Sequence, residues 1–395
     1  MRKWAKFYVT SPAGGVVSIS SVSRRSGLKD TMLLLTDLTD DALEVVLQFC
    51  SLATLRTARV ACQRCARLGR SAVRGRPWQE LGENLDELRI SMWSEGDFRC
   101  AELSGHLALH DVFDVSMGDG MIASASHDGS CKLWDAASGT CHRTLYPKWP
   151  PSGMSLRCTA LATGRLACGD NAGAVHVWDL EKPVDAPGTA KLLGHRNSVL
   201  CLAWAGQTLL SSGIDRTVRV WDVDKRECVA SAKEHERPVR SLDADGGVVA
   251  SGGEEGTVKL WSLANDRALA KTASFQAHDG AVMAVALRGP LLVSGSADGT
   301  MRLWDSRKGS GADSAAGLLY TPQREVYALA LCGHALVSGG SDRKVSIHDM
   351  RSLTEGPHRT LTGHMSKVHA IAAEGGRIVS GDGAGRLRRW ELSGT

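Results

Sequence analysis

Along residues 105–391, polar and apolar residues switch with a period of two in short runs, as in Cys131-Lys132-Leu133-Trp134, Val218-Arg219-Val220-Trp221 and Val258-Lys259-Leu260-Trp261. Successive side chains of a strand point to opposite faces, so each run predicts a half-buried strand. The runs end on a recurring pair: Trp134-Asp135, Trp178-Asp179, Trp221-Asp222, Trp261-Ser262, Trp304-Asp305, His348-Asp349 and Trp390-Glu391. The first members of these pairs are 44, 43, 40, 43, 44 and 42 residues apart. Spacing that regular marks one supersecondary unit repeated along the chain. Residues 33–81 break the pattern: Leu35, Leu38, Ala42, Leu43, Val46, Leu47, Phe49 and Cys50 follow a helical period, with Asp37, Asp40 and Asp41 at the front where a helix dipole favours acids. A second, basic helix is predicted to end at Leu68, before the turn at Pro77-Trp78.

Inside the repeat, other positions recur in register. Six residues before the marker stands a turn acid, Asp128, Asp215, Glu255, Asp298 or Asp342, as a tight hairpin requires. Four residues before that comes a serine: Ser124, Ser211, Ser251, Ser294, Ser338 and Ser380. A histidine precedes the tryptophan by 26 residues at His195, His235, His278 and His364, and by 28 at His106. These positions resemble the WD-repeat family over about 290 residues of the chain. The resemblance implies a seven-bladed β-propeller, mainly β, in which each blade ties His, acid, Ser and Trp into one hydrogen-bonded chain. The quartets so implied include His106, Ser124, Asp128 and Trp134, then His195, Ser211, Asp215 and Trp221, then His278, Ser294, Asp298 and Trp304. Repetition at one fixed spacing speaks for structure rather than acid–base or metal chemistry, because buried polar groups need partners and these supply one another.

Some repeats depart from the pattern. The second has Ala172 at the acid position, Cys168 for serine and Ser152 for histidine; the sixth has Pro322 for histidine and His348 for tryptophan; the seventh has Ala384 for the acid. Looser blades are expected there. The chain also stops at Trp390-Glu391-Leu392, one strand short of a four-stranded blade, so Phe98–Leu103 is expected to supply the missing outer strand and remove the open edge.

The order Leu35-Thr36-Asp37-Leu38, Leu43, Val46-Leu47, Phe49, Leu52, Leu55, Val60-Ala61-Cys62 and Trp78 resembles an F-box. That resemblance implies an all-α module that docks the Skp-type adaptor of a cullin–RING ubiquitin ligase through Leu35, Leu38, Leu43, Val46, Leu47, Phe49 and Leu52. A plain helical cap has the same period. The expected organisation is a basic disordered tail at 1–31, the F-box-like module at 32–82, a linker at 83–97 and the propeller at 98–395.

Composition narrows the function. The chain has 395 residues with 43 glycines and only 20 aromatics (11 Trp, 4 Tyr and 5 Phe), a turn-rich β profile. A net charge of +4, from 47 basic and 43 acidic residues, gives no case for nucleic acid. Eleven scattered cysteines, several inside apolar runs, read as reduced thiols of a cytoplasmic or nuclear protein, and Cys62-x-x-Cys65 lacks the second pair of a zinc site. No stretch is apolar enough for a membrane helix. The first 29 residues hold six bases and no acid, a profile that transit peptides share with disordered tails. No Walker loop, GxSxG, HExxH, cofactor-binding or kinase motif occurs, so a non-enzymatic binding protein is expected.

Propellers of this family present loop residues around a central channel. Carrying over its two facing positions per blade gives Phe113, Arg157, Leu200, Arg240, Met283, Tyr327 and His369, and beside them His127, Asn171, Ile214, Glu254, Ala297, Ser341 and Gly383. With only Arg157 and Arg240 in the set, a phosphate reader and an apolar-epitope reader both remain open. The reading is a substrate-recognition subunit of an Skp–cullin–F-box ligase with an unknown protein substrate. Two others stand beside it: a scaffold without ubiquitin role, and a receptor for a DDB-type adaptor through Trp304-Asp305-Ser306-Arg307 and His348-Asp349-Met350-Arg351.

Overall fold

Seven four-stranded antiparallel sheets follow one another along the chain in a computed structural model. It describes residues 5–10, 16–21 and 98–392, apart from 148–152, 183–189, 265–267, 309–314, 321–324, 334 and 351–356. Blade 1 runs outward through Val112–Gly118, Met121–Ser126, Cys131–Asp135 and Cys141–Leu145, and blades 2 to 6 repeat that order. Blade 7 is composite: Val368–Glu374, Arg377–Asp382 and Leu387–Leu392 are completed by Phe98–Leu103, which pairs from Phe98↔Leu392 to Leu103↔Leu387. The expected closure is therefore present. One sheet ties both ends of the repeat region together, and the inner strands of blades 7 and 1 touch as those of other neighbours do.

No single core fills the molecule. Apolar side chains gather instead in seven clusters, one in each interface between adjacent blades. Each blade's tryptophan packs against the blade before it: Trp134 sits with Ala370, Ala372 and Val379 of blade 7, and Trp221 with Cys158 and Val175 of blade 2. Trp134, Trp221 and Trp261 are among the largest fully buried side chains. The interface of blades 5 and 6 lacks this wedge, because His348 holds the place of the tryptophan.

The segment ahead of the propeller groups as a separate unit, residues 1–89. Within the stretch expected as a disordered tail, Ala5–Thr10 and Val16–Ser21 pair as an antiparallel hairpin with Phe7 opposite Ile19 and Val9 opposite Val17. The F-box-like helices and their candidate contacts Leu35, Leu38, Leu43, Val46, Leu47, Phe49 and Leu52, like the linker at 83–97, lie outside the described residues.

Closure by Phe98–Leu103 is testable at one side chain. Leu103 is buried in the blade 7–blade 1 cluster while Cys100 on the same strand is exposed. Leu103→Ala is expected to cost about 2–4 kcal/mol of unfolding free energy in urea, and Cys100→Ala less than about 0.5 kcal/mol.

Candidate binding face and the networks behind it

The channel residues are placed by a defect that recurs in every blade. Each inner strand slips register by one residue, between Val112/Asp114, Leu156/Cys158, Val199/Cys201, Val239/Ser241, Val282/Ala284, Val326/Ala328 and Val368/Ala370. The skipped residues are Phe113, Arg157, Leu200, Arg240, Met283, Tyr327 and His369. A bulge leaves one residue unpaired and re-aims its side chain. Here the residue before each slip is fully buried between blades, and the skipped one lines the central cavity of about 420 Å³.

The second set sits beside the first. In all seven blades, the N–H of His127, Asn171, Ile214, Glu254, Ala297, Ser341 or Gly383 donates to the carbonyl two residues before the channel position, at 2.9 to 3.1 Å. That bond pins the turn to the rim, outside the cavity wall. Side chains then couple across the rim. His127 meets the Phe113 ring edge-on at 5.9 Å, and the Arg157 guanidinium lies 4.1 Å over the same ring. Arg240 is held by Glu254 at 2.6 Å, and Lys367 bonds the Tyr327 hydroxyl at 3.1 Å beside Glu325. At Gly383 an added Cβ would stand 3.0 Å from Ser366 Oγ and 3.1 Å from His369 Nε2, so a side chain there would have to push these two groups aside by a few tenths of an ångström.

Behind the rim, the expected quartets are present in blades 1, 3, 4 and 5. In blade 3, Trp221 Nε1–H donates to Ser211 Oγ at 2.7 Å, Ser211 meets His195 Nε2 at 2.6 Å, and His195 Nδ1 faces Asp215 at 2.9 Å. With tryptophan donating into the serine, the serine proton goes to Nε2 and the histidine keeps its own on Nδ1, toward the acid. The same chain links Trp134, Ser124, His106 and Asp128, and Trp304, Ser294, His278 and Asp298. In blade 4 Glu255 replaces the aspartate and contacts His235. The acid also accepts from a hydroxyl two residues on: Ser130, Thr217, Thr257 or Thr300, at 2.6 to 2.8 Å. Sequence reasoning missed this member, although a Ser or Thr at acid-plus-two is legible in those four repeats.

Two departures were misjudged from sequence. Blade 7, expected to lack its acid at Ala384, uses Asp382: its fully buried carboxylate meets His364 Nδ1 at 2.9 Å and accepts the N–H groups of Ala384 and Arg386 at 2.9 and 3.0 Å. Blade 2 makes the same move, Asp170 accepting from Ala172 and Ala174 and meeting His176 at 2.9 Å. Both carry Gly-Asp-x-Ala-Gly, which shifts the acid two residues upstream. Blade 6 is reduced to Ser338 and His348 at 3.3 Å, and burial lowers the His348 pKa to about 4.

Burial alone would raise the quartet acids, but their bonds reverse it. His106 and Ser130 hold Asp128, and His195 holds Asp215, well below the usual range, while Glu255 is lowered to about 2. Asp114 and Asp243 on the channel wall behave oppositely: burial pushes them up to about 7 and about 6, even though they accept the N–H of Thr159 at 2.8 Å and of Leu287 at 2.7 Å from the next blade. None of these pairs presents a nucleophile to the channel. Among the described residues no cluster of three or more His, Cys, Asp and Glu side chains is arranged to hold a metal ion. Arg307 is exposed and grips its own Asp305 through two bonds of 2.9 Å, while Arg351 lies outside the described residues.

The profile of the WD domain, G-beta repeat family matches residues 99–135, 188–222, 226–262 and 270–305. The chain carries WD40 repeats. The matched stretches supply the three inner strands of blades 1, 3, 4 and 5, each with the outer strand of the blade before it, and there acid, Ser, His and Trp stand at their usual places. The unmatched blades are those with the displaced acid or the missing tryptophan. The WD40 β-propeller domain of Doa1 superposes with a TM-score of 0.64 at 21% identity, covering 75% of this chain and 97% of that one, which shows the fold alone. An F-box/WD-40 repeat-containing protein of Arabidopsis thaliana is 24% identical over 75% of this chain and 59% of its own length. Meiotic fizzy-related protein 1 of Schizosaccharomyces pombe is 30% identical over 40% of this chain and 37% of its own. The chain spans less than two thirds of either relative. WD40 propellers are typically non-enzymatic platforms for protein interactions; in this chain the seven bulged residues ring the cavity.

Two outcomes follow for the networks. Asp382→Ala is expected to cost about 3 kcal/mol in urea unfolding, and adding Ala384→Asp on that background to recover most of it, whereas Ala384→Asp alone adds nothing. For Asp114, a carboxyl raised in the fold stabilises below its unfolded pKa of about 4, and that contribution is lost as pH rises through about 7. The deficit of Asp114→Asn relative to the parent chain should therefore shrink by about 1–2 kcal/mol between pH 4.5 and 7.5, read from paired urea titrations.

Proposed function

We propose that this protein is the substrate-recognition subunit of an Skp–cullin–F-box ubiquitin ligase, acting in the cytoplasm or nucleus, with the propeller holding the substrate and residues 32–82 holding the adaptor. The observation that carries the substrate half is the ring of bulged residues around the cavity: they present side chains at the mouth while the polar quartets behind them bond to one another. The adaptor half rests on the F-box-like order of Leu35, Leu38, Leu43, Val46, Leu47, Phe49 and Leu52 and on the likeness to an F-box/WD-40 protein over three quarters of the chain. In this role the chemistry belongs to the partners. Holding a substrate beside the ubiquitin-charged enzyme raises the effective concentration of its lysines.

The test is a pulldown of the purified chain with Skp adaptor and cullin, comparing the parent with Leu47→Asp plus Phe49→Asp. A complex with the parent at micromolar protein and none with the variant is expected. If the parent captures no adaptor, the ligase reading fails and the protein is a WD40 scaffold; capture of a DDB-type adaptor that Arg307→Ala abolishes selects the rival receptor reading.

A further inference from the structure

Among the described residues, the large apolar side chains that stand exposed are Leu107, Leu109, Tyr146, Leu193 and Met365. All five lie in, or at the start of, connections that run from an outer strand to the next inner strand. Those connections lie on the rim face, the side of the channel mouth, and the turns of the opposite face carry no such residue among those described. They are also grouped around the ring. Their connections lead into blades 7, 1, 2 and 3, four in succession, and also carry exposed Arg196 and Lys367, whereas those into blades 4 and 5 expose Lys233, Glu234, Glu236, Arg237 and Asp279 and no large apolar side chain. Among the described residues, the exposed apolar side chains keep to one arc of the rim, and a second arc is charged only.

Leu109 is the sharpest member of the arc. Its side chain is 86% exposed and its φ is +68°, a left-handed conformation that costs a bulky residue energy. Its N–H bonds Ala384 O at 3.2 Å, which holds the loop against blade 7. An apolar side chain kept strained and in water gives the fold nothing, and such sites gather at contact surfaces. The charge at the inner edge of the arc is equally specific. Arg240 is neutralised by Glu254 and Lys367 stands 3.6 Å from Glu325, but Arg157 pairs with no carboxylate among the described residues and lies stacked on Phe113.

We propose that this arc docks an apolar segment of a protein partner that carries one carboxylate for Arg157 and needs no phosphate. A phosphate reader requires clustered, unpaired arginines for a bidentate grip, and of the two arginines that line the cavity Arg240 is already held by Glu254. The inference rests on the reading of the propeller as the substrate-holding body and is independent of what binds residues 32–82.

The experiment uses the immobilised full chain and a phage library of short unmodified random peptides, followed by affinity measurement of the best enriched peptide. Enrichment of apolar sequences with a single Asp or Glu is expected. Leu109→Asp and Arg157→Glu should each weaken that peptide by about tenfold or more, while Arg237→Glu on the charged arc leaves it unchanged. Replacing the acid of the peptide by Lys should restore binding to Arg157→Glu. Leu109→Gly separates contact from folding: it relieves the left-handed φ, so the melting temperature should hold or rise while binding falls. No enriched peptide, affinity that tracks Arg237 rather than the arc, or a phosphorylated library that outcompetes the unmodified one would each overturn the proposal. The adaptor pulldown reads a separate surface, so either result can fail alone.

Discussion

A buried serine hydroxyl sits at the centre of most blades, and the rest of the unit is arranged around it. It takes the tryptophan N–H and gives its own proton to a histidine, which faces an acid in the next turn. Removing any one group would leave its neighbours buried and unpaired, so the chain fixes three things together: the third strand, the connection from the previous blade and the hairpin turn. The tryptophan is also the wedge against that previous blade, so polar order within a blade and apolar burial between blades share one side chain. Blade 6 shows the converse, because with His348 in that place both the network and the wedge are reduced.

The inner strand carries a bulge in every blade, including blades 2 and 6, where the full network is missing. A slipped residue forfeits its ladder bonds, and the loss is offset because the residue before it is buried between blades while the turn beside it is pinned by its own backbone bond. Seven side chains are thereby aimed at one mouth whatever their chemistry. Phe113, Arg157, Leu200, Arg240, Met283, Tyr327 and His369 have little in common as residues, and the position rather than the type makes each of them part of the face.

The acids divide by surroundings rather than by identity. Asp128, Asp215 and Glu255 are partly buried beside donors that stabilise the charge, and they stay ionised. Asp114 and Asp243 accept backbone N–H groups across the blade boundary, yet burial outweighs those bonds and raises them to about 7 and about 6, toward the neutral pH range. The same side chain thus stiffens a turn in one place and sits poised to titrate in the channel wall in another.

The sequence by itself determined the number of blades, the composite closing blade and the partners in the four quartets of blades 1, 3, 4 and 5, because each rests on short-range spacing: period two within strands, a fixed interval from turn to tryptophan, and one strand left over. The seven channel positions came from the resemblance to the WD-repeat family, and the bulge that aims each of them appeared only in the structure. What the sequence could not decide was which acid completes blades 2 and 7. Asp382 and Asp170 stand two residues from the expected place, and only the path of the turn brings their carboxylates to the histidine and the following N–H groups. The pairing of Arg240 with Glu254, the isolation of Arg157 and the apolar arc around Leu109 were likewise settled by tertiary structure, because they depend on distances across blades, which no local pattern encodes.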